Sequence, residues 1–143
     1  MRTLIAFAAL AVLLLAGPAL AASVDAQGAW IRTPPPGALT AAGYATLVNH
    51  ARVPDHLMDG RSTVATEVGI HQMLEDGGVM RMRPIPGGLL VPAVSEVRLE
   101  PDGAHLMLMG LKRPLHVGQH VRIVLRYAHA GLVPVDFVVK DAP

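Results

Sequence analysis

The chain has 143 residues, no cysteine, and a net charge of +1 from 12 Lys/Arg and 11 Asp/Glu residues. Without thiolates, a blue-copper site, a zinc ribbon and an iron–sulfur centre are excluded, so a metal would have to be held by His, Met or carboxylate. The balanced charge contains no basic block, which argues against nucleic acid or an anionic membrane surface as a partner.

The N-terminus predicts export. Arg2 is followed by a long uncharged apolar run, and the small residue Ala21 suits cleavage before Ala22. The run is too short to argue for a lasting membrane span. We therefore expect a signal peptide at residues 1–21 and one domain at residues 22–143 in a bacterial periplasm, as a monomer without a membrane span once the signal is removed. A domain of that size can bury about two-thirds of its unfolded surface.

The rest of the chain consists of short strand-like runs separated by Gly, Pro and Asp. In chain order, the predicted strands lie at residues 29–32, 42–48, 65–73, 78–83, 96–100, 105–109, 121–128 and 132–140. No helical period and no internal repeat occur beyond the signal segment. The pattern predicts an all-β fold, either a β-sandwich or a β-barrel.

Several connections carry turn residues. The turns at residues 75–78, 86–88 and 101–103 combine glycine with Asp or Pro, and they predict hairpins between the flanking strands. The triple proline within residues 32–38 predicts a stiff extended loop. His56-Leu57-Met58 lies between turn-forming residues and is interpreted as a surface strand end.

The segment "AHLMLMG" raises a question about its two faces. Alternation along a strand puts His105, Met107 and Met109 on one face and two leucines on the other. If the leucines enter the core, the methionines lie on the opposite face and need another explanation.

The His-x-Met spacing recurs. His71 and Met73 repeat it, and Met80 and Met82 place two further thioethers at the same spacing. Imidazole and thioether without thiolate or carboxylate favour Cu(I) over zinc, magnesium or calcium. For any single segment, methionine as ordinary core filling is the simpler interpretation, and only the recurrence favours a metal site.

Enzyme classes find little support. The chain has no Gly-x-Ser-x-Gly, phosphate-loop or His-Glu-x-x-His motif. Glu75 and Asp76 are adjacent within a glycine turn, which suits turn formation better than acid–base catalysis. We do not expect an enzyme.

The chain resembles the periplasmic copper chaperones of the PCuAC family. The resemblance runs through "AWIRTPPPGALTAAGYATLVNH", "IHQMLEDGGVMRMRPIPGGL" and "GAHLMLMGLKRPL". The last two segments carry the copper pattern of that family, which is a His, a Met about ten residues later, and then His-x-Met. The resemblance implies a cupredoxin-like Greek-key β fold.

Matched residue by residue, the pattern implies that His71, Met82, His105 and Met107 are the copper ligands. The 22 residues between Met82 and His105 are one more than the family pattern has. Met80 therefore stays open as an alternative to Met82, and Met73 and Met109 as substitutes or outer residues.

The resemblance implies metal transfer. Such a protein binds Cu(I), and possible Cu(II) binding is left open. It delivers copper toward the binuclear copper centre of cytochrome c oxidase, so the expected partners are the copper subunit of that oxidase and a thioredoxin-like copper-insertion protein. Exposed ligands would suit this task, because a partner thiolate can displace them stepwise.

Two alternatives stay open. One is a periplasmic copper sequestration or tolerance protein that supplies no oxidase. The other is an Ig-like interaction module without metal, which requires both Met82 and Met107 to be buried core residues.

Overall fold

The computed structural model describes residues 23–143, so the predicted signal peptide lies outside the described residues. These described residues form ten strands, which confirms the all-β prediction. They are β1 (Val24–Arg32), β2 (Thr40–Asn49), β3 (Asp55–Arg61), β4 (Ala65–Asp76), β5 (Val79–Pro84), β6 (Leu89–Val91), β7 (Ser95–Leu99), β8 (Ala104–Leu111), β9 (His120–Tyr127) and β10 (Gly131–Lys140). The described residues contain no helix long and apolar enough to cross a membrane.

Seven of the strands close into a barrel in the order β4-β8-β2-β1-β10-β9-β3. The ring closes where Gly60 of β3 pairs with Val68 of β4. A Cβ on Gly60 would stand 3.1 Å from Ile123 and 3.2 Å from Val68, so glycine lets the two strands meet over the core. Outside the ring, β5 extends the sheet from β4, β6 pairs with β3, and β7 pairs with β2.

The barrel interior is filled by aliphatic side chains and one phenylalanine. The largest fully buried members are Phe137, Ile31, Leu47, Leu57, Leu106, Leu108, Ile123 and Leu125. Burial of such side chains contributes roughly 1.5–3 kcal/mol each, which gives a cysteine-free chain its main source of stability.

The interpretation of His56-Leu57-Met58 as a surface strand end was wrong. These residues lie within β3, where Leu57 is fully buried. The sequence hides this strand because it contains two aspartates, and both are satisfied by tertiary partners. Asp55 accepts backbone hydrogen bonds from His56, His129 and Ala130, and Asp59 pairs with Arg126.

The hairpin predictions were correct at one turn of three. β4 and β5 pair across Gly77-Gly78, as predicted. The turn at residues 101–103 does not join a hairpin, because β7 and β8 lie one after the other along the same strand, β2. The turn at residues 86–88 takes the chain from β5, which pairs with β4, to β6, which pairs with β3. The proline-rich segment is a loop between β1 and β2, as predicted.

Candidate metal centre

The candidate ligands lie on the outer surface of the barrel. On β8, Leu106 and Leu108 point into the core and are fully buried, so His105, Met107 and Met109 occupy the opposite face. This confirms the predicted division of the strand. Side chains of directly opposed residues on antiparallel strands share a face, so the pairing register shows which side chains of β4 and β5 join them.

Four rows of opposed residues cross this outer face. They are Met82–Met73, Pro84–His71–His105, Gly69–Met107 and Glu67–Met109. Successive rows are separated by two residues along a strand, or roughly 7 Å. The two histidines therefore lie in one row, between a row of thioethers on one side and Met107 on the other.

His71 and His105 form the centre of the arrangement. Their ring centroids are 6.4 Å apart and the rings are inclined by 26°. His105 is only 3% exposed. Its Nδ1 lies 3.1 Å from the carbonyl oxygen of Gly103, to which it donates a hydrogen bond. That bond leaves Nε2 as the nitrogen with a free lone pair, the usual arrangement of a metal-binding histidine.

The surroundings of His71 favour its neutral form. Burial lowers its pKa below the ordinary value, and repulsion from His105 lowers it further, against an opposing effect of Glu67. Its Nδ1 is buried and has no hydrogen-bond partner among the described residues. A neutral imidazole is the form that binds metal ions.

The hairpin register separates Met82 from Met80, which the sequence left open. Met82 lies opposite Met73, one row from the histidines, whereas Met80 lies opposite Glu75, one row further away. Both are exposed, at 46% and 54%. Met73 lies in the same row as Met82, on β4. The two-residue turn at Gly77-Gly78 sets the register that places Met82 opposite Met73, and this turn is already recognisable in the sequence.

The site has one buried side. Met107 is 9% exposed and His105 is 3% exposed, so among the candidate ligands Met82 is exposed, as expected, but these two are buried. A small hollow of about 170 Å³ above Met107 is walled by Pro34 and Pro35 of the proline-rich loop. The loop sits over this face because the chain crosses from β1 to β2 there.

Sequence reasoning missed the aromatic wall beside His105. The Tyr44 ring lies 6.3 Å from the His105 ring and 4.7 Å from the Trp30 ring, and Lys140 lies 5.0 Å above Trp30. Burial is the main reason that the pKa of Tyr44 is raised. Nothing in the local sequence marks Tyr44, because its contact with His105 arises from the β2–β8 pairing.

Thioethers are the donors that surround the histidine pair. Within residues 23–143, no group of three or more His, Asp or Glu side chains is placed to hold a metal ion. His50, His116, His120 and His129 are exposed and lie on other parts of the surface. His71 and His105 thus differ from these four histidines in burial, and His56, which is half-buried as His71 is, lies on β3.

Comparison with known protein families gives one match over nearly all of the described region. The family described as "Putative lipoprotein LpqE-like" matches residues 24–139. A protein of Leifsonia xyli subsp. xyli, "Putative lipoprotein Lxx21020", is 32% identical over 118 residues, which cover 82% of this chain and 70% of that protein.

Solved structures of PCuAC domains have the same fold. The solution structure of Cu(I)-DR1885 from Deinococcus radiodurans is 36% identical, with a TM-score of 0.66 over 80% of this chain and 76% of that one. The copper-bound PCuAC domain from PmoF2 is 25% identical, with a TM-score of 0.70 over 84% of this chain and 94% of that one. The cupredoxin-like β fold implied by the sequence resemblance is therefore confirmed.

Proposed function

The chain belongs to the LpqE-like lipoprotein family, and on this premise we propose that it is an exported chaperone whose cargo is Cu(I). The observation that carries the proposal is the direct opposition of His71 and His105 on a face that also holds methionines. The solved relatives support the choice of metal, since DR1885 was determined with Cu(I) and PmoF2 with copper.

We assign the Cu(I) ligands to His71, His105, Met107 and Met82. Thioether sulfur is a soft ligand that suits Cu(I), and imidazole is acceptable to it. A thioether has no proton to lose, so only the two histidines make binding depend on pH. The hydrogen bond from His105 Nδ1 to Gly103 fixes the orientation of that ring before the ion arrives.

The uneven burial of the ligands suits transfer. His105 and Met107 are enclosed, whereas Met82 on the β4–β5 hairpin is 46% exposed. A partner thiolate can therefore approach from the hairpin side and displace Met82 first, while the enclosed ligands still hold the ion. Stepwise exchange of this kind never releases free Cu(I) into solvent.

The proposed acceptor is the copper subunit of cytochrome c oxidase in the periplasm, with a thioredoxin-like copper-insertion protein acting alongside. Oxidase assembly in a deletion strain under copper limitation tests this step. Impaired assembly that is restored by added copper supports delivery. Normal assembly combined with copper sensitivity supports the alternative of sequestration.

Copper binding itself is tested by anaerobic Cu(I) titration of the processed, exported protein against a chromophoric chelator. Met107→Leu is the most informative variant, because it removes the sulfur but conserves volume in a buried position. We expect one tight equivalent in the wild type and an affinity at least about tenfold lower in the variant, since even outer-shell changes at metal sites cost that much.

His116→Ala is the matched control, because His116 is exposed and lies on the β8–β9 loop. It should bind Cu(I) as the wild type does. Failure of the wild type to compete with the chelator would reject the chaperone, although the exposure of Met82 also conflicts with an interaction module in which both methionines are core residues.

A further inference from the structure

A second group of potential copper ligands lies beside the proposed site, in an open cleft of about 620 Å³. Its walls include Met58, Arg61, Glu67, His71, Ile85 and Met109, and we call it the side cleft. His105 and Met107 do not line it. Of the four proposed ligands, only His71 lines the side cleft, and His71 also lies opposite His105 in the strand pairing.

We propose that the side cleft is a second Cu(I) position, held by His71 and Met109, through which the ion passes to and from the enclosed pair His105 and Met107. This inference rests on the proposed function and adds a route to it. Met58 and Glu67 complete the surroundings of the ion at this position.

The geometry around Gly69 brings the two ligands together. The point where a Cβ on Gly69 would stand lies 3.4 Å from Cε1 of His71 and 3.4 Å from the terminal methyl of Met109. The Nδ1 atom of His71 is 3.8 Å from the same point. Because residue 69 has no side chain, the imidazole edge of His71 and the methyl end of Met109 both border the space beside it.

The Nδ1 atom of His71 has an unused bonding capacity. It is buried and finds no hydrogen-bond partner among the described residues. A buried nitrogen without a partner costs free energy, and such atoms in native proteins call for an explanation. A soft cation bound in the side cleft beside Met109 supplies the missing partner.

The charge at the cleft wall also suits a cation. Glu67 lies opposite Met109 in the β4–β8 register, is exposed, and takes part in none of the ion pairs among residues 23–143. Arg61 lines the same cleft and opposes this effect, while Asp59 is already paired with Arg126. A free carboxylate at the rim raises the local cation concentration without acting as a strong ligand for Cu(I).

The side cleft and the enclosed site share His71 as a ligand, so a single Cu(I) ion can occupy only one of them through His71 at a time. A neutral imidazole has one nitrogen with a free lone pair, so His71 serves either the side cleft or the His105 row, but not both at once. The side cleft is therefore a station on the way to the enclosed site, and the protein still binds one Cu(I) through His71.

The test uses the processed protein with methionine methyl groups labelled with ¹³C, titrated anaerobically with Cu(I) up to one equivalent. In the wild type we expect the methyl resonances of both Met107 and Met109 to shift. In Met107→Leu, where the enclosed site is weakened, the Met109 shift should persist. In Met109→Leu, which leaves His71, His105 and Met107 in place, the Met107 shift should remain.

The kinetics provide a second readout. Met109→Leu should slow the loss of Cu(I) to a chelator several-fold with little change in affinity. Met80→Leu is the matched control, since Met80 is exposed on the same face but remote from the side cleft. A Met107 shift without any Met109 shift in the wild type would overturn the second position alone. If no methionine methyl shifts, the proposed function fails with it.

Discussion

Met82 on β5 lies directly opposite Met73 on β4, one row from the pair of opposed histidines, whereas Met80 lies one row further out. The hairpin turn at Gly77-Gly78 sets this register. The difference of roughly 7 Å between the two rows separates a thioether that can reach the histidine row from one that cannot.

We therefore predict that Met82→Leu weakens Cu(I) binding about tenfold and that Met80→Leu leaves it unchanged, a loss of the size seen when groups at a metal site are removed. Neither change should alter the free energy of unfolding by more than about 0.5 kcal/mol, because both side chains are exposed. Chelator competition and urea unfolding provide the two measurements. Equal loss of affinity in both variants would contradict the assignment based on register.

The rate of oxidation should distinguish the exposed Met80 and Met82 from the buried Met107. Conversion to the sulfoxide makes a thioether polar and a poorer soft ligand. In dilute peroxide, Met80 and Met82 should react well before Met107, which is 9% exposed. Peptide mass spectrometry over time measures the order, and bound Ag(I), a soft cation that peroxide does not oxidise, should protect Met82 but not Met80. Similar protection of the two would show that Met82 does not contact the ion.

Asp55 gives the fold a dependence on pH. Burial would raise the pKa of this carboxyl group, but hydrogen bonds from the backbone N–H groups of His129, Ala130 and His56 outweigh burial, and its pKa is lowered. The unfolded chain therefore binds the proton more tightly. The resulting stabilisation is fully present above the unfolded pKa of about 3.9 and is lost as the pH falls through the lower folded pKa.

Asp55→Asn should lower the free energy of unfolding by about 1–3 kcal/mol at pH 7, the usual cost of disturbing a buried acceptor. The difference in the free energy of unfolding between the variant and the wild type should narrow as the pH falls below about 4. Urea unfolding at several pH values measures both effects. His129→Ala tests the imidazole separately, because its Nδ1 lies 3.5 Å from Asp55 but the exposed ring should contribute little compared with the backbone N–H. A difference in the free energy of unfolding that does not change with pH would contradict the role of the carboxylate charge.

The sequence was sufficient for features set by local pattern. Alternation in β8 separated Leu106 and Leu108 from His105 and Met107, and the glycine turn after β4 identified the hairpin. Local pattern also placed His105 and Met107 on one face of β8, whereas strand pairing brings His71 and Met82 to that face. These are the properties that a strand shows whatever its neighbours are.

Features that depend on residues far away in the sequence could not be predicted from local sequence pattern. β3 looks like a turn region because Asp55 and Asp59 are unfavourable in strands until His129, Ala130 and Arg126 satisfy them. The burial of His105 likewise depends on Tyr44, more than sixty residues earlier in the chain. Propensity describes a residue alone, whereas both of these outcomes are set by tertiary contacts.

Gly87 and Gly88 provide a matched pair that separates backbone strain from steric clash. Both have a positive φ, of 75° and 87°. A Cβ on Gly87 would meet nothing within 4 Å, but one on Gly88 would stand 2.7 Å from the carbonyl oxygen of Leu57 and 2.9 Å from the Met58 sulfur. The Met58 side chain can move away, whereas the β3 backbone cannot do so without disturbing the barrel.

We predict that Gly87→Ala costs about 1–2 kcal/mol, the strain of a left-handed conformation alone. Gly88→Ala should cost roughly 1–3 kcal/mol more, because the overpacked loop must shift away from β3. Urea unfolding of the two variants measures the difference. Gly88→Ala should also move Met58 in the side cleft and alter the ¹³C methyl resonance of that residue, which Gly87→Ala should leave in place. Equal destabilisation by the two substitutions would mean that the 86–88 turn does not press against β3 in solution.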